Sequence, residues 1–145
     1  MRRMITGVGL AAAGVAALIA WPAEAESLKF KAALTSGAET PPNDSKGSGS
    51  LTATFDPASK KLDWMANYSG LTGPAMAAHF HGPAPAGKAA GIEVPLAGSL
   101  ESPIKGSAIL TDAQAKDLMD GMMYFNLHTA ANKGGEIRGQ MEKAM

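Results

Sequence analysis

The chain has 145 residues, 46% of them apolar, with 13 basic and 13 acidic side chains and a formal net charge of zero. That balance excludes the basic footprint of a nucleic-acid binder and the polybasic surface of an anionic-membrane binder. The absence of cysteine excludes disulfide staples, thiolate metal ligands and a cysteine nucleophile.

The N-terminus, MRRMITGVGLAAAGVAALIAWPAEA, has the order of a secretory leader. Arg2 and Arg3 form a basic start, an uncharged apolar run extends from Ile5 to Trp21, and Ala23-Glu24-Ala25 is a small-x-small cleavage signature. The run is shorter than the roughly 20 residues a spanning helix needs. The expected mature chain is therefore one domain, residues 26–145, in the periplasm or the medium, with no membrane attachment after cleavage. Cleavage removes two of the 13 basic and one of the 13 acidic side chains, leaving a net charge of −1.

Leu28, Phe30, Ala32 and Leu34 alternate with Lys29, Lys31 and Ala33, the period of a half-buried strand. TSGAETPPNDSKGSGS is a loop by its Pro, Gly, Ser, Asn and Asp content. LTATFD predicts a second strand and KKLDWMANYSG a third, with Leu62, Trp64, Ala66 and Tyr68 on one face. A further strand carries His79, and GIEVPLAGS and PIKGSAIL predict two more. TDAQAKDLMDG breaks the pattern. Thr111 is suited to an N-cap, Gln114 to its capping-box partner and Gly121 to the terminator, which predicts one short helix. MMYFNLHT and GEIRGQMEK predict the last two strands, with Gly134-Gly135 supplying positive φ between them. Short strands at regular spacing with turns between them predict an all-β fold, an antiparallel Greek-key β-sandwich or barrel with one short helix.

The three histidines fall in two of these strands. In a strand, residues i and i+2 project from one face, so His79 and His81 stand together while Phe80 points away. Tyr124, Asn126 and His128 likewise share a face opposite Phe125 and Leu127. With the phenylalanines and Leu127 in the core, all three histidines occupy non-core faces. Three convergent neutral imidazoles hold a divalent transition metal at roughly 2.0–2.1 Å. Copper leads on affinity at such nitrogen sites and zinc follows.

Around this trio, Met76 is a candidate soft axial ligand, against the commoner use of methionine to fill core gaps. Tyr124 and Asn126 are candidate auxiliary residues by their shared face. Glu136 and Arg138 share a face and pair with each other, as a solvated or structural ion pair, or with loop groups; Glu136 is also a candidate outer partner orienting an imidazole. No Gly-x-Ser-x-Gly elbow, phosphate loop or His-Glu-x-x-His motif is present.

Three stretches, SGAETPP, YSGLTGPAMAAHFHGPA and MYFNLHTAANKGGEIRGQM, together resemble the CHRD domain, the module named after chordin. The resemblance runs from about Leu28 to Met141. One departure is Lys133, where the family often carries proline before Gly-Gly-Glu. The resemblance implies an antiparallel β-sandwich of immunoglobulin or Cu,Zn superoxide dismutase-like character, and it maps onto His79, His81, His128, Glu136 and Arg138. It leaves function open, since a fold hosts many functions.

The leading expectation is an exported metal-binding protein for storage, delivery or tolerance. The alternative is a non-catalytic module that binds a protein or polysaccharide partner, or a second copy of itself, for which an exposed apolar GPAPAGKAAG segment would speak. A dismutase-type enzyme fits less well, because the chain has no fourth histidine.

Overall fold

The computed structural model describes residues 14–21 and 26–145. Residues 14–21 are exposed and carry no regular secondary structure, while the basic start and the Ala23-Glu24-Ala25 signature lie outside the described residues. No helix among the described residues is long and apolar enough to cross a membrane.

Alternation decides the first three strands. β1 (Leu28–Thr35), β2 (Ser48–Asp56) and β3 (Lys61–Ser69) bury every second side chain, among them Phe30, Leu34, Leu51, Phe55, Leu62 and Trp64. They form an antiparallel meander in unbroken register, with Leu28 opposite Phe55 and Asp56 opposite Lys61. β4 (Ala77–His81), β5 (Ile92–Pro95) and β6 (Ile104–Ile109) follow. After them come α1 (Asp112–Met119), β7 (Tyr124–His128), β8 (Ile137–Gln140) and β9 (Glu142–Lys143). α1 starts where the capping residues predict. The Thr111 side chain accepts from the Gln114 N–H, the Gln114 side chain accepts from the Thr111 N–H, and Leu118 enters the core.

The strands hydrogen-bond in the order β5-β4-β7-β8-β1-β2-β3-β6, with β9 on β1. The links from β3 to β4, and from β6 through α1 to β7, each cross between distant parts of that order, which is Greek-key connectivity. The sheet curls until its ends face each other, as a nearly closed barrel. Trp64 of β3 therefore meets Phe80 of β4 edge-on, with ring centroids 5.0 Å apart, and Phe80 meets Phe125 at 5.0 Å. Gly106, opposite Trp64 on β6, leaves room for the indole, since a Cβ there would lie 2.6 Å from the ring.

One predicted strand is two. GEIRGQMEK breaks at Met141, whose side chain turns into the core and whose N–H donates to the Met123 carbonyl at 2.9 Å. β8 before the break pairs with β7, and β9 after it pairs with β1.

Candidate metal centre

β4 and β7 are antiparallel neighbours, with Ala77 opposite His128, His79 opposite Asn126 and His81 opposite Tyr124. The pairing sends Ala78, Phe80, Phe125 and Leu127 into the core and gathers His79, His81, Tyr124, Asn126 and His128 on the other face. β8 extends that face, setting Arg138 opposite Asn126 and Gln140 opposite Tyr124.

The three imidazoles converge as parity predicts. One nitrogen from each lies within 4.8 Å of the others. Nitrogens on one ion with bonds of roughly 2.0–2.1 Å stand about 3–4 Å apart, so closing the set takes a shift of under about 1 Å.

Hydrogen bonding fixes which nitrogens are free. His81 Nδ1 lies 3.0 Å from the Ala90 carbonyl and His128 Nδ1 lies 2.8 Å from the Lys133 carbonyl. A carbonyl only accepts, so both Nδ1 atoms carry hydrogen and both Nε2 atoms of the neutral rings present lone pairs. His81 Nε2 is buried without any hydrogen-bond partner. His128 Nε2 has His79 Nδ1 at 3.0 Å and Asn126 Oδ1 at 3.0 Å. Imidazoles that hold one proton on a backbone carbonyl and aim the other nitrogen inward are oriented as metal ligands are.

Burial favours the neutral form of two of the rings. Burial, then the neighbouring His128 and His81, holds His79 below the usual histidine range. Burial also lowers His81, against the opposing effect of its bond to the Ala90 carbonyl.

The non-core face is itself covered, which parity does not reveal: Tyr124, Asn126, Glu136 and Arg138 are all 3% exposed or less. The segment between β4 and β5 folds back as a strap fastened through its backbone. The Ala84 N–H donates to the Met122 carbonyl, and the Ala84 carbonyl accepts from Gln140. The Ala90 N–H donates to the Tyr124 hydroxyl, and the Lys88 carbonyl accepts from Arg138. Beneath it, Tyr124 stacks flat on His81 with centroids 4.9 Å apart, and Arg138 lies over the Tyr124 ring at 3.4 Å.

Two expectations for β8 change. Glu136 is fully buried and hydrogen-bonds to no imidazole; its carboxylate accepts from the Thr72 N–H and hydroxyl, the Thr129 hydroxyl and the Asn132 amide, tying two loops together. Arg138 forms no salt bridge with Glu136. It spends its donors on Lys88 and Thr40 and its charge on Tyr124. Of Gly134-Gly135, only Gly135 takes positive φ, at 127°.

Met76 is 66% exposed, so it fills no core gap; it rims a depression of about 300 Å³ with His79, His128, Ala130 and Lys133.

Sequence reasoning missed three participants. The Ala90 and Lys133 carbonyls have no side-chain signal. Glu39, 5% exposed, lies against this layer, and burial pushes its carboxyl up to about 7 despite the nearby Arg138 charge and the Asn126 amide. Its only sequence signal was its place in SGAETPP.

The fold and site together define a Greek-key barrel with a buried polar layer and three clustered imidazoles on the outer face of one strand pair. The family model for the CHRD domain matches residues 30–141, and the chain belongs to that family. No curated protein and no solved structure matches it.

Proposed function

We propose that this chain is an exported metal-binding protein acting in storage, delivery or tolerance, with His79, His81 and His128 as ligands. Copper is the leading metal by its affinity for imidazole nitrogen, and zinc is second. Export, to the periplasm or the medium, rests on the leader-like order of residues 1–25.

The observation that carries the reading is His81. Its Nδ1 proton is committed to the Ala90 carbonyl, and its Nε2 lone pair is buried with no donor, close to two further imidazoles. Leaving a buried acceptor unpaired costs about 1–3 kcal/mol, and a cation placed among the three rings removes that cost. The neutral set already supplies three lone-pair nitrogens once His79 carries its proton on Nε2.

Replacing any one of the three histidines with alanine is expected to lower Cu(II) affinity by roughly tenfold or more. Full affinity in the triple variant would end the reading. The exposed Met76 and the depression beside His79 and His128 favour a second reading, in which this edge contacts a protein or polysaccharide partner or a second copy. That reading gains if the protein binds no metal and His79 or Met76 substitutions abolish a defined complex.

A further inference from the structure

Three imidazoles leave a metal ion short of a full tetrahedral set. A side-chain oxygen stands beside the trio's free nitrogens: Asn126 Oδ1, 3.0 Å from His128 Nε2. Because the His128 proton sits on Nδ1 against the Lys133 carbonyl, that contact brings two acceptors together. Two lone pairs at 3.0 Å repel unless a cation lies between them, and the same separation suits two neighbouring ligands of one ion.

Rotating the amide by 180° would present Nδ2 to His128 instead. Glu39 opposes that rotation. Asn126 Nδ2 and Glu39 Oε1 crowd the same spot beside Gly135, where an added Cβ would lie 2.7 Å from the first and 2.4 Å from the second. Glu39 Oε1 is buried and has no hydrogen-bond partner. With Glu39 ionised, turning the amide over would set Oδ1 against a carboxylate, a second pair of facing acceptors. Glycine at 135, with φ 127°, lets the two side chains meet at all.

We infer that the Asn126 amide oxygen is a fourth metal donor, and that Glu39 is the positioning residue that keeps this oxygen turned into the site. The inference rests on the metal-binding reading and adds to it a specificity. An amide oxygen is a hard donor, which suits Cu(II) and Zn(II) and contributes little to Cu(I). The set of three nitrogens and one oxygen therefore discriminates by oxidation state.

The test uses the tag-free protein and measures affinities for Cu(II), Zn(II) and Cu(I) separately. Asn126→Leu is expected to lower Cu(II) and Zn(II) affinity by roughly tenfold or more while Cu(I) changes by less than about threefold. Asn126→Asp, which restores an oxygen, is expected to recover both. Glu39→Gln should weaken Cu(II) in the same direction as Asn126→Leu, yet cause no further loss in the Asn126→Asp protein, whose carboxylate needs no orienting. Parallel loss of all three metals in Asn126→Leu, or no loss, overturns the fourth donor. Unchanged Cu(II) affinity in Glu39→Gln, or an additive loss on top of Asn126→Asp, overturns the positioning role. Should Asn126→Leu fail to fold, Asn126→Asp and Glu39→Gln carry the decision. A wild-type protein that binds no metal defeats the parent reading instead, and the histidine variants separate the two failures.

Discussion

The two faces of the β4–β7 pair are built from the same two strands and differ in how their needs are met. One face, Ala78, Phe80, Phe125 and Leu127, is at most 1% exposed and is satisfied by packing alone. The other buries His81, Tyr124 and Asn126, leaves His79 and His128 half-buried, and keeps the His81 Nε2 atom without a partner. Packing needs only shape and apolar area, whereas a covered polar layer needs every donor matched to an acceptor. The first face holds the fold, and the second carries the proposed metal site.

Damage to one face should not spread to the other. The largest effect belongs to the core: Phe80→Ala or Phe125→Ala should destabilise by about 3–5 kcal/mol in denaturant unfolding. The folded fraction should still take up metal. The His79/His81/His128 triple alanine variant should reverse this pattern. Without metal its stability should stay within about 1 kcal/mol of wild type. It should also lose the gain of roughly 2.7 kcal/mol that wild type shows at a hundredfold excess of metal over Kd.

Acidity acts on the two faces differently, because the polar face titrates and the core face does not. His79 and His81 are held below the usual range, so the unfolded chain binds more protons than the fold near its ordinary pKa of about 6.5. Their contribution is present above that pH and is lost as the pH falls through the lowered values. Glu39 runs the other way. Its carboxyl rises from 4.5 to about 7 in the fold, so stability is present below 4.5 and is lost as the pH climbs through 7. Glu39→Gln should therefore melt higher than wild type at pH 8 and near wild type at pH 5, by circular dichroism. The smallest effect is remote from both faces: Thr111→Ala removes the α1 cap, costs about 1 kcal/mol and leaves metal affinity unchanged.

Much of the fold was legible because strands announce themselves by period two and α1 by its cap. The shared face of the histidines was legible for the same reason, and it became convergence because β4 and β7 happen to pair in the register that sets His79 beside Asn126. Alternation says which side chains leave the core but not what covers them afterwards. The strap from Gly82 to Gly91 reads as loop in the sequence, yet its backbone carbonyls set the orientation of His81 and anchor Arg138. Glu136 and Arg138 share a face as alternation requires, while their partners come from loops distant in sequence, Thr72 for one and Thr40 and Lys88 for the other. Glu39 stood in a run of turn residues where neither period nor charge marks burial.

Metal binding at this site requires specific imidazole nitrogens to be free. Zn(II) titration of the tag-free protein, followed by long-range proton–nitrogen correlation spectra of the histidine side chains, tests it most directly. The expected result is saturation at one equivalent, with His81 Nε2, His128 Nε2 and His79 Nδ1 moving to metal-bound shifts while the Nδ1 atoms of His81 and His128 stay protonated. Six unmoved nitrogens, or movement at the two carbonyl-bound Nδ1 atoms instead, would contradict it.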